Sequence, residues 1–245
     1  LDSIVFSSTM QNIHNGNYRL IYSSGLNQGK LIGDIFFNRD IIGFNFDSES
    51  VINFFNQSWR IDSVSKLYLE RKKINFKEFA LQMDGQKLMF DGYLNKNPRI
   101  NFSFNDFKLH YLNPFLDNQS FSFDGVLDGD ILFHSNTFPM MSGDFEVDNF
   151  KLNDVLLGQL KLTNTSNQGN DSIYTNGVIR SHKEILTLLA KYPLDGTKNI
   201  NASILFNDFP ARIFDTILNP ISQLRGSSYG NLKITGLINN YDVNK

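Results

Sequence analysis

Cysteine is absent from this 245-residue chain. That excludes disulfide staples and thiolate metal sites, and it suits an envelope protein that must avoid stray oxidation. Charge of one sign is lacking too: 23 Lys and Arg stand against 25 Asp and Glu, a net charge of −2. Without a basic field, the sequence argues against a nucleic-acid partner. No apolar run approaches about 18 residues, so no segment reads as a membrane-spanning helix. The four histidines, His14, His110, His134 and His182, are scattered, and none has a second ligand at metal spacing. There is no Gly-x-Ser-x-Gly elbow and no phosphate-binding glycine loop. The sequence therefore predicts neither an enzyme nor a cofactor.

What is abundant is phenylalanine, 23 residues against one tryptophan. Its arrangement is most telling between Phe102 and Phe133. Phe102-Ser103-Phe104 and Phe121-Ser122-Phe123 alternate with period two, which puts the rings on one face of a strand and the polar residues on the other. The marks recur further on. Phe104-Asn105-Asp106-Phe107 returns as Phe206-Asn207-Asp208-Phe209, and Leu112-Asn113-Pro114 as Leu218-Asn219-Pro220. Gly125 and Gly129 return as Gly226 and Gly230. This order implies a repeat of about 100 residues. We divide the chain into a strand-rich partial repeat over 1–57, a central repeat over 58–200, and the start of a further repeat over 201–245. Both ends look cut, as in a piece of a longer protein.

The predicted class is all-β with a few short helices and antiparallel pairing, because strands recur without long crossover helices. A hairpin is expected across Asn38-Arg39-Asp40, with turns at Asn15-Gly16-Asn17 and Asp84-Gly85-Gln86. Within Lys151–Thr165 two strands should separate near Leu157-Gly158. Helices are expected at Ser48–Gln57, capped by Asp47 or Ser48, and at Ser181–Tyr192. In the latter, Ser181 and Glu184 form a capping box ahead of Ile185, Leu188 and Leu189. Lys108–Asp117 should be an irregular or helical turn, repeated at Pro210–Leu218.

Among charged residues, Arg71-Lys72-Lys73 reads as a solvated turn. The cluster Asp124, Asp128, Asp130, Asp144, Glu146 and Asp148 is the one candidate calcium site. Glycine-flanked aspartates and a wet strand face explain it better, so no metal is predicted. A dense Phe/Ile/Val face must be hidden, either by a second sheet or by lining a trough for hydrocarbon chains. The residues expected to line such a trough are Phe102, Phe104, Phe121, Phe123, Ile131, Phe133, Phe145 and Val147. The alternative is an adhesin-like or scaffold β-sandwich or solenoid with a closed core.

Trp59-Arg60-Ile61, Ile74-Asn75-Phe76 and Gln86-Lys87-Leu88-Met89-Phe90-Asp91-Gly92 resemble the repeat pattern of the TamB family in the AsmA-like superfamily. The unit from Phe107 to Phe133 is similar to the one that follows in that family. Gly143-Asp144-Phe145, Leu152-Asn153 and Leu157-Gly158-Gln159-Leu160 continue the likeness. It covers most of residues 55–240, and the abundance of Asn, Phe, Lys and Ile resembles a Bacteroidetes-type member. The resemblance implies an elongated, curled antiparallel sheet, the β-taco, with an apolar groove. It implies a parent protein anchored in the inner membrane of a diderm bacterium and crossing the periplasm. The implied partners are phospholipid acyl chains and an Omp85-type (TamA-like) outer-membrane barrel. The implied role is lipid transport to, or protein assembly in, the outer membrane.

Overall fold

The computed structural model describes residues 3–24, 27–54, 57–115, 121–135, 139–166, 172–193, 199–216 and 223–237. The chain is nearly all β, with antiparallel pairing, as the alternation predicted. No described helix is long and apolar enough to cross a membrane. Two compact units are formed: Leu1–Phe107 with Leu132–Pro139, and Lys108–Ile131 with Met140–Lys245.

The first unit holds β1 (Ser3–Met10), β2 (Asn15–Ser24), β3 (Asn27–Asn38), β4 (Ile41–Asn45), β5 (Val51–Phe54), β6 (Gln57–Ile61), β7 (Lys66–Glu70), β8 (Lys73–Met83), β9 (Gln86–Leu94) and β10 (Arg99–Lys108). β1, β2 and β3 pair in sequence. β3 is long and splits its partners: Ile35–Asn38 pairs with β4, while Gln28–Lys30 pairs with β5. β8 does the same, taking β7 along Lys73–Lys77 and β6 at Leu81 and Gln82. β9 and β10 complete the unit.

The two long strands change partner over buried serines. Where β3 passes from β4 to β5, Ser50 donates its hydroxyl to the Ile32 carbonyl (2.7 Å) and accepts from the Ile32 N–H (3.0 Å). Where β8 changes, Ser65 accepts from the Ala80 N–H (3.0 Å) and donates to the Glu78 carbonyl (3.4 Å). Both serines are fully buried. Each closes the same turn, Asp47-Ser48-Glu49-Ser50 or Asp62-Ser63-Val64-Ser65. The aspartate N–H donates to the long strand, and the serine N–H donates to the aspartate carbonyl. Backbone groups left without a ladder partner must find another when buried, and a Ser hydroxyl supplies both donor and acceptor.

The helix expected at Ser48–Gln57 is therefore one turn followed by β5 and β6. The Asp47 side chain does cap, accepting from the Glu49 N–H at 3.0 Å. Ile52, however, lies between Gly29 and Trp59 in the sheet. The hairpin turn expected at Asn15-Gly16-Asn17 falls earlier, at 11–14, where the Asn12 side chain accepts from His14 and Asn15; all three predicted residues are in β2. The turns at Arg39 and Asp84-Gly85 occur where expected, with positive φ at all three residues.

The second unit holds β11 (Phe123–Ser135, up to Ile131), β12 (Pro139–Leu152, from Met140), β13 (Val155–Ser166), β14 (Ser172–Arg180), β15 (Glu184–Pro193), β16 (Asn199–Pro210) and β17 (Ser227–Leu237). From β12 to β17 each strand pairs with the next. The predicted break at Leu157-Gly158 lies instead at Asn153-Asp154, both at positive φ, the geometry of a two-residue hairpin turn. Gly158 is inside β13, where a Cβ would strike the Arg180 carbonyl oxygen. The predicted helix at Ser181–Tyr192 is a bend and then β15. Ile185, Leu188 and Leu189 satisfy helical spacing, but Leu186, Leu188 and Ala190 alternate equally well. Ladders with β14 and β16 on both sides decide for the strand. The capping-box glutamate Glu184 pairs with Arg180 at 2.6 Å.

Candidate functional site

A cross-strand ladder places directly paired residues on the same face of a sheet, so the registers define each face. In the second unit, Val147, Leu160, Ile179, Leu186 and Phe206 form one row. The next row is Phe145, Leu162, Gly177, Leu188, Ile204 and Leu232. The opposite face carries Glu146 against Lys161 and Val178, and Asp144 against Thr163, Asn176, Leu189, Ser203 and Lys233. The charges lie on that face. Exposure of the apolar face is graded. Val147 is 1% exposed, Phe145 half-buried, and Leu232 on β17 is 47% exposed.

The first unit repeats this division. Phe104, Leu88, Leu81 and Ile61 form one row; Phe102, Phe90 and Phe79 form another. A third runs from Ile100 through Gly92, Phe76, Leu67, Phe44, Ile35 and Gly16 to Met10. Rings meet edge to face along the second row and beside it: Phe90–Phe102 at 5.4 Å, Phe79–Phe90 at 6.0 Å and Phe46–Phe79 at 5.4 Å. Tyr18 lies opposite Gly33 and donates its hydroxyl to the Asn45 carbonyl at 3.3 Å. Burial pushes its pKa well up, with Asp34 adding to the shift. Trp59 stacks on Phe107 at 5.9 Å, both nearly fully buried.

Of the eight expected trough residues, Phe102, Phe104 and Phe133 belong to the first unit, and Phe121, Phe123, Ile131, Phe145 and Val147 to the second. Phe102 and Phe104 share the apolar face of β10, and Phe145 and Val147 that of β12. Ile131 and Phe133 are half-buried in β11. Phe121 lies ahead of the strand, which begins at Phe123; the Phe123 ring stacks on Phe150 at 6.2 Å. Asn113 pins the first residue of the strand. Its Oδ1 accepts from the Phe123 N–H and its Nδ2 donates to the Phe123 carbonyl, both at 2.9 Å. The described clefts open on the polar faces. One of about 520 Å³ is lined by Arg60, Gln82 and Lys87, and another of about 330 Å³ by Tyr174 and Leu189.

Both copies of the Asn-Asp-Phe mark take the same local course. Asp106 and Asp208 adopt positive φ, Phe107 and Phe209 are buried, and 3₁₀ turns follow at Leu109–Phe115 and Ala211–Thr216. The structural counterpart of Asn113 is Asp215, whose Oδ1 accepts from the Leu224 N–H at 2.8 Å. Asn219, matched by the tripeptide, lies outside the described residues.

The acidic cluster is dispersed in hydrogen bonds. The Asp124 carboxylate takes the Gly125 N–H (2.8 Å) and Lys151 (3.2 Å), which lower its pKa. The Gln159 amide bridges Glu146 and Asp148. Among the described residues no group of carboxylates and histidines is placed to hold a metal. Arg71 and Lys72 form the turn between β7 and β8. The Asp-Ser-x-Ser turns, written twice in the sequence, are the structural motif that hydrophobic periodicity does not reveal.

No family model matches the chain, and neither does any curated protein or any solved structure.

Proposed function

We propose that this chain is a non-enzymatic lipid-handling segment whose one-sided apolar face carries phospholipid acyl chains, in the manner of the TamB/AsmA-like bridge proteins its motifs resemble. One observation carries this reading: in each unit the ladders put large apolar side chains on one face, and many of them, Phe102, Phe104 and Phe145 included, are only half-buried. Covering such a face with hydrocarbon is favourable by about 0.8 kcal/mol per buried CH₂. On this reading the parent is anchored in the inner membrane, works in the periplasm, and meets an Omp85-type barrel at the outer membrane. Lipid extraction of the purified chain tests it. Phospholipid should co-purify, and Phe104→Asp and Phe145→Asp should each reduce the bound amount while the fold persists. A lipid-free wild-type protein that also takes up no added phospholipid overturns it.

A closed-core scaffold is the second reading, favoured by the buried Trp59–Phe107 stack. It expects Phe145→Asp to unfold the protein and lipid to bind nowhere.

A further inference from the structure

The apolar face of the second unit changes character at one row. Beyond Phe145 and its partners, the next ladder position carries Gly143, Asn164, Thr175, Ala190 and Ala202 before it reaches Ile234 on β17. Ser166 follows on β13, paired with Ile173. From β12 to β16 the row holds small side chains and the polar Asn164 and Thr175, and Ser166 adds a third polar group one position further on β13. Asn164 is 5% exposed. Its Oδ1 accepts the Thr175 hydroxyl at 2.6 Å, which leaves the two Nδ2 hydrogens for another acceptor. The Ser166 hydroxyl oxygen is buried without a partner, a costly state for a polar group unless something fills it. The row holds no charge: Lys161 and Lys191 belong to the opposite face, paired with Glu146 and Asn201.

Donors without a cation fit a neutral acceptor rather than a phosphate. Two residues along a strand span about 6.7 Å, so this row lies one such step from the Phe145 row and two from the Val147 row. We propose that Asn164, oriented by Thr175, and Ser166 form a polar notch that takes the ester carbonyls of an acyl lipid whose chains lie over those two rows. The proposal rests on the lipid-handling reading above and adds where along the strands the lipid's polar junction is held.

The test compares a dioleoyl diester phosphatidylcholine with its dioleyl diether analogue. The two share headgroup and chain length, and only the first has ester carbonyls. Binding of each to the full chain is measured by native mass spectrometry and by competition. The diester should bind about 3- to 10-fold tighter, the worth of one or two net hydrogen bonds. Asn164→Leu and Ser166→Ala should each bind both lipids and lose the preference. Ser166→Ala removes a hydroxyl with no internal partner, so its fold stands even where Asn164→Leu fails to fold. Equal binding of the two lipids to wild type, or an undiminished preference in Ser166→Ala and a folded Asn164→Leu, overturns the notch and leaves the lipid-handling reading intact. Binding of neither lipid overturns both.

Discussion

Ser50 and Ser65 perform one task at two places: each hydroxyl accepts from an N–H and donates to a carbonyl of a long strand where that strand changes neighbours. Replacing either by alanine strands a backbone N–H, that of Ile32 or of Ala80, while the Ile32 carbonyl keeps the Asp47 N–H. Ser50→Ala and Ser65→Ala should each cost about 1–3 kcal/mol, read as a lower midpoint in urea at unchanged slope. Loss of less than about 0.5 kcal/mol in both would show that the sheet closes without them.

Asn113 and Asp215 offer a paired test. Asn113→Asp keeps the acceptor for the Phe123 N–H and loses the donor to the Phe123 carbonyl. It should be less harmful than Asn113→Ala, which loses both and should cost about 1–2 kcal/mol. Asp215→Asn keeps its single acceptor role toward Leu224 and should be nearly neutral. Thermal melts of the three variants rank them; a damaging Asp215→Asn would contradict the equivalence of the two sites.

Acid should loosen the β16–β17 hairpin. Asp208 is held as a carboxylate by Ser227, Lys183 and Tyr229, with Lys183 and the Tyr229 hydroxyl each at 2.9 Å, and its pKa is strongly lowered. A group whose folded pKa is depressed stabilises above its unfolded value, near 4, and loses that contribution as pH falls toward the folded value. Asp208→Asn should thus be less stable than wild type at pH 7, and the gap should narrow as pH drops below about 4. A gap that is constant with pH would remove the carboxylate from the account.

Trp59 and Phe107 test how much of the first unit is a sealed core. Trp59→Ala should cost about 3–5 kcal/mol, as for a large buried aromatic. Phe102→Ala, at a half-buried ring, should cost clearly less. Equal losses would mean that the half-buried ladder is packed as tightly as the core.

The all-β class, the apolar ladders at Phe102–Phe104 and Phe145–Val147, and the tight turns at Arg39 and Asp84-Gly85 were legible because alternation and turn chemistry act locally. Ser181–Tyr192 was not, since its leucines satisfy both periods and only the neighbouring ladders choose between them. The Asp-Ser-x-Ser turns imitate a helix start at Asp47, and what ends the helix there is the ladder from Ile52 to Gly29. The polar notch was hidden because Asn164 and Thr175 are the tenth and fourth residues of separate strands that only register brings together.

The most direct measurement of the central claim contrasts two neighbouring residues on opposite faces. A photo-crosslinking amino acid placed at Phe145 or at Glu146 is irradiated in cells, and the adducts are identified by mass spectrometry. The account predicts phospholipid adducts at position 145 and none at 146; adducts at neither position, or equally at both, would contradict it.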